Sequence, residues 1–179
     1  MRVIAGRLGG RLFDSPGTNR THPMSDKARG ALFNVLGDID GLTVLDAFAG
    51  SGALSFEAVS RGAAHALAIE SDKPAQRIIA ANIRALNVSA HVRLISATVN
   101  AWLQTAAPTT FDIVLCDPPY DDLQLSLIQR LATERVAAGG LLVLSWPGNA
   151  EAPAFDDFSV VTQRGYGDMQ LLFYRRSPR

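Results

Sequence analysis

The stretch TVLDAFAGSGALSFEAVSRG, residues 43–62, passes from an apolar run through a glycine turn into a helix-forming segment closed by Gly62. TVLDAFA reads as a buried strand and ALSFEAVSR as the helix that follows it. The same alternation continues downstream. HALAIE (65–70) is a second strand, followed by a helix opened by Ser71, with Pro74 in its first turn, that runs to about Asn87. HVRLIS (91–96) is a third strand and AWLQTA (101–106) a short helix; FDIVLCD (111–117) is a fourth strand and LQLSLIQRLATERV (123–136) its helix. GLLVLSW (140–146) then gives a fifth strand after Gly139 and Gly140. Strands separated by helices require crossovers, and crossovers give parallel pairing covered on both faces. The tail differs, because FSVVTQ and MQLLFYRR are joined only by RGYGD and read as an antiparallel pair at the sheet edge. The expected fold is α/β: a mostly parallel, doubly wound sheet ending in an antiparallel strand pair.

Upstream, Arg2–Ile4 and Arg11–Phe13 are short strand-like pieces around Gly6, Gly9 and Gly10, followed by the loop DSPGTNRTHP. Ser25 can cap a helix whose apolar residues Ala28, Ala31, Leu32, Val35 and Leu36 fall on one face. The expected division is a basic hairpin and arm over residues 1–24 and one globular domain over 25–179. The chain of 179 residues, 47% hydrophobic and 19% charged, has the composition of a globular domain. There is no apolar run of membrane-spanning length and no signal-peptide core, so a cytoplasmic protein without a membrane partner is expected. One cysteine and three sequence-distant histidines (His22, His65, His91) offer no metal-ligand spacing, so no metal is expected. Cys116 reads as a buried small hydrophobe. The net charge is zero, yet residues 1–30 hold Arg2, Arg7, Arg11, Arg20, Lys27 and Arg29 against Asp14 and Asp26, a local excess of +4. Such an asymmetry fits either a solvated charged face or an arm for an anionic partner.

In a doubly wound sheet the ligand lies beyond the carboxyl ends of the strands, beside the first strand. Here that position is Asp46-Ala47-Phe48-Ala49-Gly50-Ser51-Gly52. Gly50 and Gly52 let backbone approach a ligand, but the dinucleotide fingerprint fails because its third glycine position is Ser55. Glu70, eighteen residues beyond Gly52, ends the second strand where an acid accepts hydrogen bonds from ribose hydroxyls, or simply favours the helix that follows. Asp46 stands where a pyrophosphate would be repelled, and suits a cofactor bearing an ammonium and a sulfonium, S-adenosylmethionine.

The fourth strand ends in Cys116-Asp117-Pro118-Pro119-Tyr120. An exocyclic nucleobase amine is a poor nucleophile because its lone pair is delocalised into the ring. Acceptors that hold both N–H bonds favour a pyramidal nitrogen and act mainly in the transition state. Asp117 supplies one acceptor, and the prolines remove donors and leave the Pro118 carbonyl free to be the second. The Tyr120 ring can stack on the base.

These segments, with RVIAGRLGGRLF, THPMSDKARGALFNVL and LDAFAGSGALSFEAVSRGA, resemble the RsmD type of Rossmann-like S-adenosylmethionine-dependent methyltransferases along essentially the whole chain. The resemblance implies methyl transfer to a guanine N2 of bacterial 16S ribosomal RNA, free or in an assembling small subunit. It implies cofactor contacts from Asp46, Phe48, Ala49, Gly50, Ser51, Gly52, Glu70, Ser71, Thr98 and Asp117. Asp117, Pro118, Pro119 and Tyr120 would hold the target amine, and Arg2, Arg7, Arg11, Arg20, His22, Lys27 and Arg29 the RNA. This chain departs from the family pattern at Thr98, where an acidic or amide residue often meets the adenine, at His22, a frequent arginine, and at Gly30, a frequent glutamate. Two alternatives stay open on the residues: an adenine-N6 or protein-glutamine methyltransferase, and a non-catalytic RNA-binding assembly factor of the same fold.

Overall fold

A computed structural model of the chain describes residues 1–17 and 24–178. Its elements are α1 (Asp26–Leu36), β1 (Thr43–Asp46), α2 (Ala53–Ser60), β2 (His65–Glu70), α3 (Lys73–Ala85), β3 (Val92–Ser96), α4 (Val99–Thr105), β4 (Phe111–Cys116), α5 (Leu125–Arg135), β5 (Val136–Pro147), β6 (Phe158–Tyr166) and β7 (Met169–Arg176). They form one seven-stranded sheet in the order β3-β2-β1-β4-β5-β7-β6. The first five strands are parallel, and β7 is antiparallel to both β5 and β6. The order reverses at β1, which therefore lies between β2 and β4 with both neighbours parallel to it. Strand ends separated by many residues in sequence, Asp46, Glu70 and Asp117, consequently share one edge.

Two apolar layers cover the sheet. One contains Leu32 and Phe33 of α1, Phe56 and Val59 of α2 and Ile79 and Ile83 of α3; the other contains Trp102 of α4 and Ile128 and Leu131 of α5. Val3, Leu8 and Phe13, from the N-terminal segment, are buried in the first layer, and Phe13 meets Phe56 edge-on at 5.3 Å between ring centroids. Strand β1 stops at Asp46 instead of running on through Ala49, and further elements also differ from the sequence expectation. Helix α3 is capped by Asp72 rather than Ser71, since the Asp72 carboxylate accepts the Ala75 N–H at 3.0 Å. Strand β5 begins at Val136 because the β4–β5 register slips between Phe111 and Ile113, and Gly139 takes φ 73° in the resulting bulge. The β6–β7 pair closes on the two residues Gly167 and Asp168, so its strands run on to Tyr166 and from Met169.

The N-terminal segment is fastened by one buried carboxylate. Glu57 has no exposed surface and accepts the Ile4 N–H at 2.7 Å, the Ala5 N–H at 3.1 Å and Arg61 Nε at 2.7 Å, with Arg29 Nε at 4.0 Å. Removing it would leave two amides unpaired and the buried Arg29 guanidinium with Asp26 as its one remaining counter-charge. Glu57→Ala is therefore expected to lower unfolding free energy by about 3–5 kcal/mol, and Tm by roughly 10 °C for a chain of this size. Urea and thermal denaturation check this; a loss below about 1 kcal/mol would show that the segment is held by its apolar contacts instead.

Candidate active site

Strand β1 ends at Asp46, which is wholly buried. The chain then turns through Gly50, with φ 54°, and Gly52, with φ 79°, into α2. Gly52 is obligatory: a Cβ there would lie 2.8 Å from the Phe56 ring. A Cβ on Gly50 would meet nothing within 4 Å, so this side of the turn opens onto space for a ligand. Asp46 Oδ2 accepts both the Ser55 N–H at 3.1 Å and the Ser55 hydroxyl at 2.7 Å, while Oδ1 is buried without a partner among the described residues. A buried carboxylate oxygen left bare at a ligand turn fits a cationic group such as the ammonium of the expected cofactor.

Glu70 ends β2 and braces that turn, with one oxygen accepting the Gly50 N–H and the other the Asp72 N–H, each at 2.7 Å. Each carboxylate oxygen keeps a second lone pair for a ribose hydroxyl. Thr98, the expected adenine contact, caps α4, its hydroxyl accepting the Ala101 N–H at 3.2 Å. Ser71 is exposed just beyond Glu70. The register that pairs Asp46 with Leu115 carries Asp117 to the same edge. Asp117 is half-buried, Pro118 buried, and Pro119 and Tyr120 exposed, Tyr120 to 40%. Among the described residues no hydrogen bond is made to the Pro118 carbonyl.

The carboxylates influence one another. Burial above all pushes Asp46 from 3.8 up to about 7, with Asp117 and Glu70 adding to the rise and the Ser55 hydrogen bonds opposing it. Burial also raises Asp117, opposed by a hydrogen bond from Ser145. The Cys116 thiol is held well above its ordinary range by burial, which keeps it a neutral core group. Ser145 was not legible as a site residue; its only signal is a serine inside the apolar run GLLVLSW. It lies buried on β5 with Oγ 2.6 Å from the Tyr120 hydroxyl.

Residues 1–175 match the family described as Conserved hypothetical protein 95. The chain is 30% identical to the YlbH protein of Bacillus subtilis across 98% of its own length and 99% of that protein's. The chain belongs to the RsmD-type methyltransferase family. It is 36% identical to the ribosomal RNA small subunit methyltransferase D of Escherichia coli K12 over 67% of this chain and 60% of that protein. The solved structure of the Escherichia coli protein yhhF superposes with a TM-score of 0.89 at 29% identity, covering 100% of this chain and 99% of that one.

On this RsmD-type frame the expected RNA-binding residues divide. Arg29 is a correction: it is 1% exposed, its guanidinium bound to the Arg2 carbonyl at 2.7 Å and to Asp26 at 2.9 Å and turned toward Glu57, so it faces the core. Arg7 donates to the Val59 carbonyl, and Arg11 to the Ala85 and Leu86 carbonyls, at the C-terminal ends of α2 and α3. Arg2 pairs with Asp26 at 3.1 Å, and Lys27 is exposed. Arg20 and His22 lie outside the described residues. The sequence-distant His65 and His91 come together, with ring centroids 6.2 Å apart. Among the described residues no group of three or more His, Cys, Asp or Glu could hold a metal ion, and no helix is long and apolar enough to cross a membrane.

Because the folded state raises the pKa of Asp46, the native state binds its proton more tightly than the unfolded chain. That stabilisation is complete below about 3.8 and is lost as pH rises through about 7. From pH 5 to 8, wild type should therefore lose about 2–3 kcal/mol relative to Asp46→Asn, at about 1.4 kcal/mol per unit. Urea denaturation across that range is the measurement, and parallel pH profiles would show that Asp46 is already ionised at pH 5.

Proposed function

We propose that this chain methylates the exocyclic N2 amine of a guanine in small-subunit ribosomal RNA, with S-adenosylmethionine as methyl donor. The observation that carries the reading is a half-buried carboxylate, Asp117, on one loop with an exposed aromatic ring and a carbonyl free among the described residues, beside the glycine turn that follows Asp46, whose Oδ1 is likewise bare among them. The name and 36% identity of the Escherichia coli relative support the substrate class.

When bound, S-adenosylmethionine supplies an electrophilic methyl group. Asp46 and Glu70 would hold its ammonium and ribose, and the backbone around Gly50 its main chain. The ionised Asp117 and the Pro118 carbonyl would accept the two N–H bonds of the amine, Pro119 fixing the loop's φ and Tyr120 stacking on the base. Asp117 is also the first acceptor available for the proton that the methylated amine sheds.

The base follows from the pattern of donors. Guanine presents N1–H and the N2 amine side by side, two donors in a row, whereas adenine presents an N6 amine next to an N1 acceptor. An ionised aspartate offers acceptors only and so matches the first pattern. A loop beginning in asparagine would match the second, because its amide both accepts and donates.

The decisive experiment incubates the protein and labelled S-adenosylmethionine with small subunits lacking native methylation and identifies the labelled nucleoside. N2-methylguanosine is expected, and N6-methyladenosine would overturn the base assignment. Asp117→Ala should lower turnover by about a hundredfold or more, the usual effect of removing a preorganised acceptor, while cofactor affinity measured by calorimetry stays within a few-fold. Near-normal turnover would remove Asp117 from the reaction.

RNA affinity requires more than one stacked base, which contributes only about 1–3 kcal/mol. Arg2, Arg7, Arg11 and Lys27 are exposed and supply the phosphate contacts in this reading. Each cation taken away from a phosphate in Arg2→Ala/Lys27→Ala should flatten the dependence of log affinity on log salt by about 0.7–0.9, with thermal stability nearly unchanged. A salt slope identical to wild type would move recognition away from this segment.

A further inference from the structure

The amine-binding loop is tied to β5 through a single buried hydroxyl. Tyr120 Oη and Ser145 Oγ are 2.6 Å apart, and Ser145 is only 2% exposed. Its neighbours on the strand, Leu144 and Trp146, are buried apolar residues, and its partner across the ladder is Leu171. A hydroxyl in such surroundings costs free energy unless it is paired. Ser145 finds one partner in the Tyr120 hydroxyl of the loop, and its own proton faces the second functional side chain there, Asp117, whose pKa it lowers. A hydroxyl has one proton and two lone pairs. With Asp117 ionised, one arrangement serves all three groups: the Tyr120 hydroxyl donates to Ser145 Oγ, and Ser145 donates to the carboxylate.

We propose that Ser145 is a positioning residue which, through a Tyr120–Ser145–Asp117 hydrogen-bond chain, fixes both the stacking ring and the amine-holding carboxylate relative to β5. This role rests on the amino-methyltransferase reading above. Tyr120 is on the exposed side of its loop and would otherwise rotate about χ1, and a carboxylate held by one fixed donor presents its remaining lone pairs in one orientation. The register makes β5 a firm anchor: Cys116, just before the loop, pairs with Leu144, just before Ser145. The chain requires an ionised Asp117, since a protonated carboxyl would itself be a donor. The other titratable groups around that carboxyl are Asp46 at the end of β1, Cys116 before it and Tyr120 after it.

Four variants test the proposal: Ser145→Ala, Ser145→Thr, Tyr120→Phe and Ser145→Ala/Tyr120→Phe. Ser145→Ala should lower kcat by about tenfold or more with less than threefold change in KM for RNA, and its acidic limb of kcat should move to higher pH. Ser145→Thr keeps the hydroxyl and should recover most of the rate. In the Tyr120→Phe background the further loss from Ser145→Ala should shrink, because the two residues act as one unit. A carbon-13 NMR titration of the Asp117 carboxyl should show the same upward movement in Ser145→Ala without any turnover being needed. An unmoved Asp117 titration, or kinetic losses that simply multiply in the double variant, overturns the chain. Should Ser145→Ala fail to fold, Tyr120→Phe, altered only on the exposed loop, still decides: no change in its kcat or in the Asp117 titration also overturns it. Absence of methyl transfer by wild type would instead overturn the amine-methylation reading, and the carboxyl titration would then still decide whether the chain of hydrogen bonds exists.

Discussion

A carboxylate without access to water sits at the end of the central strand, and much of the surrounding architecture makes it tolerable. Asp46 is buried between two parallel neighbours and directly before the turn into α2. An isolated charge there would be prohibitive. The fold answers with the first-turn amide and hydroxyl of Ser55 on one oxygen and with the positive end of the α2 dipole. It leaves the other oxygen bare among the described residues. The sharp turn needed to bring the helix N-terminus over Asp46 is what forces left-handed glycine at positions 50 and 52, and Glu70 then clamps the turn through the Gly50 amide. The site is thus a compromise in which stability is given up at one atom that a cation can later satisfy.

The N-terminal segment repeats the same device with the opposite outcome. Glu57 is as deeply buried as Asp46, yet it has two amides and two guanidiniums around it. Every facing group comes from the chain itself, so nothing is left for a ligand. The contrast lies in the oxygens: both of Glu57 accept hydrogen bonds from the chain, whereas one of Asp46 has no partner among the described residues, so burial alone does not distinguish the two acids.

The periodic features are legible in the sequence alone. Residues 43–147 alternate strand and helix, and parallel pairing follows from the crossovers between them. The acids Asp46, Glu70 and Asp117 are legible because each ends an apolar run, and a strand end in such a sheet lies at the ligand edge. What could not be read depends on register and on three-dimensional pairing. Ser145 becomes a site residue only because β5 pairs with β4 one position from the loop. Arg29 looks like the other cations of the arm in sequence, but it falls on the inward face of α1, where Glu57 from a different helix awaits it. Ser71 and Asp72 are both plausible caps, and Asp72 holds the Ala75 amide while Ser71 lies exposed beside it. The bulge that starts β5 early is invisible in composition, because Val136 continues the apolar pattern of α5.

The arm shows why counting charges in a sequence does not count charges at a surface, and also why the count is not empty. Arg29 is neutralised in the core, and Arg2 shares Asp26. Arg7 and Arg11 are engaged differently, on carbonyls at the C-terminal ends of α2 and α3. Those partners are dipole ends, each helix contributing about half a negative charge, and they orient a guanidinium without cancelling its full charge. The geometry of the arm is therefore given over to docking, whereas part of its positive field still extends outward. Five N–H donors on each guanidinium make this division possible, since one from Arg7 and two from Arg11 satisfy the helix ends and the rest can face a phosphate. Arg7 and Arg11 thus keep part of the sequence's positive excess at fixed positions beside α2 and α3, the two helices that follow the strands ending in Asp46 and Glu70.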